Sequence, residues 1–492
     1  MSGFVTSDPK LKGVLPSSFL YGAASASYQI EGAPTKDGKG PSVWDAALKG
    51  KENGDIACDS YHLWKDDIQL LKKYGCNTYR FSISWPRILP RGISHLSLAF
   101  VTSDRCMAGD LGEAINEAGI KYYSDLVDAL LAANIKPFVT IYHWDHPLAL
   151  EDRYRGFESE NIIPDFVGYA KVLFERLGDR VKDWVTINEP LVVTMLGGVV
   201  LKKQSWDMKI NHIQYVRTLI LSHAYTVDLY RREFQPTQGG QIGITLNLDW
   251  VEPINDTQLA VDAAQIELDY VCGMFADPIY LGRFPPSMRS VYGEHFPEFS
   301  DEQWKIVIGS SDFFGLNSYG TSYATGRVIQ PETDPGKISF GLHEKVTEKD
   351  GKPIGNRGHN GHPYDVPWGF RNLLRYIQKR YAGPTNVPIY ITENGFATQG
   401  EADMSLEEQV NDIQRQHYYL GYLKEMIEAV RDEGVDVRGY MAWSLLDNLE
   451  WMFGYTPRFG ITCVDRNNGC KRTPKDSAGI LREIFAHAMS SS

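Results

Sequence analysis

Positive charge is in short supply in this chain. Fifty Lys and Arg residues stand against 62 Asp and Glu, a formal charge of −12 over 492 residues. Polyanionic partners need basic patches, and none is present, which argues against nucleic acid as a ligand. No uninterrupted apolar run reaches about 18 residues, so no membrane-spanning helix is expected. Cysteine is sparse too. Cys58, Cys76, Cys106, Cys272, Cys463 and Cys470 are scattered without metal-ligand spacing, and no metal is expected. Cys463 and Cys470 are close enough in sequence to pair, but a chain without an export signal keeps its thiols reduced. The start, MSGFVTSDPKLKGVLPSSF, lacks the basic and apolar regions of a secretory signal, so a cytoplasmic location is expected. The sequon at Asn255-Asp256-Thr257 would matter only in an exported chain.

Aromatic residues are plentiful, with 11 Trp, 27 Tyr and 21 Phe. They serve as core, and also as stacking platforms for sugar rings. Eight β-rich runs recur along the chain: FLYGAAS (19–25), NTYRFSIS (77–84), KPFVTIYH (136–143), DWVTIN (183–188), QIGITLNLD (241–249), DFFGLNS (312–318), VPIYITEN (387–394) and VRGYMAWSLL (437–446). Amphipathic helical stripes fall between them: Tyr61, Trp64, Ile68 and Leu71; Phe166, Tyr169, Leu173 and Leu177; Phe370, Leu374, Ile377 and Tyr381. Ser405 and Glu408 form a capping box predicted to open one long helix through Val410, Ile413, Leu420, Leu423, Ile427 and Val430. Eight strands alternating with helices predict an α/β chain folded as one closed (β/α)8 TIM barrel with long βα loops, a single domain over 1–492. No Gly-x-Gly-x-x-Gly turn follows the first strand, so neither a dinucleotide nor any other cofactor is expected. Two connections, 86–120 and 319–368, exceed ordinary loop length.

Such barrels carry their chemistry at the C-terminal ends of the strands. Read in order, those ends offer Gln29, Arg80, His143-Trp144-Asp145, Asn188-Glu189, Asn317-Ser318-Tyr319, Glu393-Asn394, and Trp443 running on to Asp447-Asn448-Leu449-Glu450-Trp451. The core of the list is two glutamates, Glu189 and Glu393, each closing an apolar strand. A lone buried carboxylate costs several kcal/mol, so one without a partner or a task is avoided. Paired carboxylates flanked by aromatics meet the requirement of glycosidic hydrolysis, in which one gives a proton to the departing oxygen and the other stays ionised. Metal hydrolysis fits less well, because His143, Asp145, Glu189 and Glu393 lack ligand spacing.

The motifs FLYGAASASYQIEGA, YRFSISWPRILP, YHWDHPLALEDRY, TINEP, ITENG and DNLEWMFGYTPRFGITCVD together resemble family 1 of the glycoside hydrolases, most of all its intracellular fungal β-glucosidases, along nearly the whole chain. The resemblance implies a retaining β-glucosidase with Glu189 as acid/base and Glu393 as nucleophile. It implies that Gln29, His143, Trp144, Asn188, Trp443, Glu450 and Trp451 hold the non-reducing sugar, with Asn317 and Tyr319 as the strand-six pair and Arg80 beside the nucleophile. Tyr323 and Phe459 read as walls, Phe459 in support of the site, and Asp145, Asp447 and Asn448 as loop-structuring groups. Arg80 and the Tyr319 hydroxyl would favour the anion of Glu393 and lower its pKa, and that anion would raise the pKa of Glu189. Glu at 189 points to O-glycosides, and the Glu450 carboxylate would repel a 6-phosphate. The implied partner is a small β-glucoside or oligosaccharide, for a monomer or homo-oligomer. The alternatives are an impaired sugar-binding relative and a transglycosidase.

The resemblance lapses over 93–118 and 191–218. The first segment is longer than the family's loop and carries an apolar run. The second, starting LVVTMLGGVVLKKQSWDMKI, replaces an aromatic, Gly/Pro-rich loop. The breaks are abrupt and flanked by family pattern, as a translated intron and a displaced splice would leave them. Genuine loop variation on the leaving-group side is the competing reading.

Overall fold

The computed structural model describes residues 8–93, 114–201, 210–296, 298–329 and 342–490. All eight predicted runs are strands in it: β1 (Leu20–Ala24), β2 (Thr78–Ser82), β3 (Lys136–Tyr142), β4 (Asp183–Asn188), β5 (Gln241–Asn247), β6 (Phe314–Asn317), β7 (Ile389–Asn394) and β8 (Val437–Trp443). Each lies parallel to the next, and Leu20 of β1 pairs with Gly439 of β8, which closes the barrel.

Parallel neighbours need crossover connections, and helices supply them. These are α1 (Ser60–Lys73), α2 (Glu117–Ala132), α3 (Ile162–Leu177), α4 (Ile210–Leu229), α5 (Gln258–Leu268), α6 (Pro367–Ile377) and α7 (Ile413–Glu433), with α8 (Asp476–Ala488) closing the chain. The apolar stripes turn inward as predicted: Phe166, Tyr169, Leu173 and Leu177 are buried, as are Phe370, Leu374, Ile377 and Tyr381. Tyr61, Ile68 and Leu71 are buried on α1, with Trp64 partly covered.

The predicted long helix after Ser405 is in fact two. The capping box forms, but it opens only Leu406–Val410, and the backbone leaves the helical region at Asn411 and Asp412 before α7 begins. The reason is a tertiary contact. Both Asp412 carboxylate oxygens are engaged by Ser477 at the start of α8 and one also by Arg415, which holds the break in place. The buried face of α7 consequently runs through Arg415, Tyr418, Tyr419, Tyr422, Leu423, Met426 and Ile427, and Ile413 is exposed.

Period-two alternation sorts the barrel interior into layers. Leu20, Phe138, Val185, Phe313, Tyr390 and Met441 fill the lower end, with Phe138, Phe313 and Tyr390 in mutual ring contact. Two residues further on, Thr140 and Thr392 replace Phe138 and Tyr390. Thr140 accepts from Arg80 Nε at 3.2 Å, and Thr392 donates to Asn317 Oδ1 at 2.8 Å. An apolar plug therefore supports a polar floor. At the upper rim the ladder slips register between Val185 and Asn188 on β4, and between Ile391 and Glu393 on β7. Such irregularities re-aim side chains at the ends of strands.

Of the two segments where the sequence departs from family pattern, 94–113 and 202–209 lie outside the described residues. The rest of the second is built into the fold. Pro190–Met195 is a short helix continued by a wider turn over Leu196–Val200, and Ile213, Tyr215 and Val216 of α4 are buried.

Candidate active site

The two glutamates reach the barrel mouth from β4 and β7. Glu189 caps β4 in a left-handed backbone conformation, φ 45°, which a non-glycine residue adopts only when its surroundings enforce it. Its N–H is held by the Thr245 carbonyl at 2.9 Å. Its carboxylate accepts from Asn317 Nδ2 at 2.6 Å. Glu393 is held differently. Arg80 Nη1 donates to its Oε1 at 2.5 Å, and the Tyr319 hydroxyl donates to its Oε2 at 2.6 Å. Arg80 is fully buried, fixed further by the Thr392 carbonyl at 3.1 Å and by Asn188 Oδ1 at 2.6 Å.

Electrostatics separates the pair. Burial pushes the Glu189 carboxyl up, the neighbouring Glu393 charge adds to this against the Asn317 hydrogen bond, and the result is about 8. Burial also pushes Glu393 above its ordinary value, while Arg80 and Tyr319 pull it back. The sequence-based expectation of a lowered Glu393 is thus corrected. Its two partners act in the expected sense, but burial outweighs them. The asymmetry survives, since the cation and the phenol both touch Glu393. Burial and the Glu393 charge keep the Tyr319 phenol protonated.

The Asn188 amide fixes the protonation of its neighbour. Its Oδ1 faces Arg80 and Asn317 Nδ2 (3.1 Å), both donors, so Nδ2 must be what meets His143 Nε2 at 3.1 Å. Burial, helped by Arg80, keeps His143 neutral, and its single proton therefore sits on Nδ1. That Nδ1 has no hydrogen-bond partner among the described residues, and neither does Gln29 Oε1. Gln29 Nε2 is occupied, donating to the Leu449 carbonyl at 2.7 Å, to Asn448 Oδ1 at 3.1 Å and to Glu450 Oε2 at 3.4 Å. Burial and the Glu393 charge push the Glu450 carboxyl up to about 8, against the Gln29 hydrogen bond.

Aromatic rings complete the group. His143 stacks on Trp443 and on Trp451, each with centroids 5.9 Å away, and Trp144 lies 4.6 Å from Trp451. Trp144 donates its Nε1–H to the Asn188 carbonyl at 2.9 Å. Trp144 and Trp451 also have positive φ, 73° and 49°. Phe459 packs edge-on against Tyr319 at 5.7 Å. Every sequence-predicted site residue thus joins one connected set. Asp145 accepts from Ser27 Oγ at 2.7 Å, and burial raises it to about 7. Asp447 accepts from Lys475 and from the Gly460 N–H, and Asn448 braces the Ser444–Leu446 turn. Tyr323 lies in an outer sheet, beneath Lys349.

Sequence reading missed Asp249. It follows β5, and its Oδ1 accepts from the N–H groups of Tyr319 (2.7 Å) and Gly320 (2.9 Å) and from Ser318 Oγ (3.2 Å). The available signal was its place at a strand end, the same signal that singled out the others.

Comparison with known proteins finds relatives along nearly the whole chain. The model of Glycosyl hydrolase family 1 matches residues 11–489. Beta-glucosidase 1B of Phanerodontia chrysosporium is 45% identical over 489 residues, covering 96% of this chain and 85% of its own. A family 1 β-glucosidase from Humicola insolens, solved in complex with glucose, superposes with a TM-score of 0.88 at 39% identity, over 97% of this chain and 99% of its own. A mutant rice β-glucosidase, solved in a covalent complex with Glc, superposes with a TM-score of 0.86 at 35% identity, over 97% and 99% of the two chains.

Proposed function

Since the chain belongs to glycosyl hydrolase family 1, we propose that it is a retaining β-glucosidase that removes terminal non-reducing β-D-glucosyl residues. The observation that carries this reading is the unequal holding of two buried carboxyls, Glu393 by a cation and a phenol and Glu189 by an amide alone.

In the first step the Glu393 carboxylate attacks the anomeric carbon. The bond to the leaving oxygen breaks, and that oxygen takes the proton of Glu189. Glu393 is now an ester, so the charge that helped raise Glu189 is gone and the Glu189 pKa falls. Glu189, ionised, then takes a proton from water as its oxygen attacks the same carbon and the ester bond breaks. Two inversions leave the β anomer. Sugar hydroxyls suit the His143 Nδ1–H donor and the Gln29 Oε1 acceptor, which have no partner among the described residues. Trp443 and Trp451 offer faces to the ring.

The proposed substrates are cellobiose, short cello-oligosaccharides and aryl or alkyl β-glucosides, which would place the enzyme in cellulose degradation. The whole chain, 1–492, acts as one domain, as monomer or homo-oligomer, without nucleic acid or membrane. A cytoplasmic location belongs to the same proposal and is supported by the five described cysteines, all free thiols. Because residues 191–218 differ from the family's leaving-group wall, leaving-group preference is expected to differ as well.

The test is hydrolysis of an aryl β-glucoside followed by proton NMR of the first-formed sugar. β-Glucose is expected before mutarotation. First-formed α-glucose would refute retention, and no turnover would refute the enzyme reading.

A further inference from the structure

Tyr319 carries the only hydroxyl on Glu393 among the described residues, and a phenol delivers a hydrogen bond only where its backbone holds it. That backbone is clamped on both sides. Its carbonyl accepts from Tyr418 (2.7 Å) and Tyr422 (3.1 Å), both on α7. Its N–H, with that of Gly320 and the Ser318 hydroxyl, converges on one oxygen of Asp249. The first clamp is neutral and buried. The second is an ionised carboxylate, held in that state, against burial, by His362 and the two backbone N–H groups. The other Asp249 oxygen lies 3.5 Å from Nε2 of the largely exposed His362.

Asp249 is also one of the few charges acting on the acid/base. Around Glu189 stand Glu393 from β7, Arg80 from β2 and Asp249 after β5, with Asn317 from β6 as its hydrogen-bond donor. Glu393 and Arg80 are already paired with each other. Besides Glu189, the titratable groups facing Asp249 among the described residues are His362, in the loop before α6, and the phenols of Tyr418 and Tyr422 on α7.

We propose that Asp249 is a positioning residue for the reaction: its carboxylate holds the Tyr319 backbone so that the phenol stays on Glu393. The inference rests on the glycosidase reading above. The same charge acts through space on Glu189, in the same direction as burial and the Glu393 charge but behind both.

Two substitutions separate the two actions. Asp249→Asn keeps an oxygen for the Tyr319 and Gly320 N–H groups and loses the charge. Asp249→Ala loses both. For Ala, kcat should fall ~10–100-fold with KM changed less than ~3-fold, since the loss is of orientation rather than of sugar binding. Asn should recover most of that loss. It should not recover the alkaline limb of kcat/KM, which moves ~0.5 unit to lower pH in both variants because the Glu189 proton leaves more readily. A merely structural aspartate would lower thermal stability and leave the alkaline limb in place. Wild-type kcat in the Ala variant would overturn the positioning role. An unmoved alkaline limb in the Asn variant would overturn the charge role. The Glu189 carboxyl titration, followed by carbon-13 NMR in the unsubstituted protein and the Asn variant, reports the same displacement without turnover. An inactive protein would therefore count against the glycosidase reading, with Asp249 still decided by its titration.

Discussion

Replacing Tyr319 by Phe removes a single oxygen from the candidate site. The ring and its edge-on packing against Phe459 at 5.7 Å remain, while the 2.6 Å hydrogen bond to Glu393 Oε2 disappears. The phenol only donates to this carboxylate, so its loss disfavours the anion and raises the Glu393 pKa further. A hydrogen bond to a charged acceptor contributes ~1.5–3 kcal/mol. At 1.36 kcal/mol per pKa unit this corresponds to ~1–2 units, provided the phenol does not hold the neutral acid equally well. Glu393 must be ionised in the free enzyme to attack, so the acid limb of kcat/KM should move up by that amount. The bell then narrows from the acid side. The measurement is the pH dependence of kcat/KM for an aryl β-glucoside across both limbs. An acid limb that stays in place, or moves down, would refute the claim that the phenol stabilises the nucleophile's charge.

Two further outcomes are expected. Glu393→Ala should abolish hydrolysis, and added azide should restore cleavage of an activated aryl glucoside with α-glucosyl azide as product, because a small anion then attacks from the vacated face; product NMR showing the β-azide would assign the nucleophile elsewhere. Lys475→Met should lower stability, because the Lys475 ammonium lies 2.5 Å from Glu401 and 2.8 Å from Asp447 in a fully buried cluster. Breaking such a pair costs ~3–5 kcal/mol. With an unfolding entropy of ~2.1 cal/mol/K per residue over 492 residues, Tm should drop ~3–5 °C in calorimetry, and a drop below ~1 °C would mean the cluster balances without it.

The barrel was legible because each strand is a short apolar run between helical stripes, and the chemistry was legible because polar groups at the ends of such runs are costly to bury. Glu189 and Glu393 stood out for that reason, and Arg80, Asn188 and Tyr319 followed as their neighbours. What stayed hidden depends on contacts far apart in sequence. The break at Asn411–Asp412 is held by Ser477, and nothing within a helix-length window announces it. The register slips that re-aim the ends of β4 and β7 arise between strands and leave no mark in either run. The raised Glu393 was misjudged because its two partners can be counted from sequence, whereas the water it has lost cannot. Asp249 carries the same strand-end signal as the others, but its task is to hold a backbone, and backbone partners are invisible in side-chain patterns.

The closing contacts of the barrel bear on when the protein becomes competent. Leu20 must find Gly439, and the loop that carries Glu450 is tied through Asp447 to Lys475. Glu189 and Glu393 are both synthesised well before that lysine. While residue 475 is still inside the ribosome, Asp447 lacks the ammonium that lies 2.8 Å from it in the finished fold. A nascent chain therefore has its acid and its nucleophile before the ion pair that braces the loop carrying Glu450.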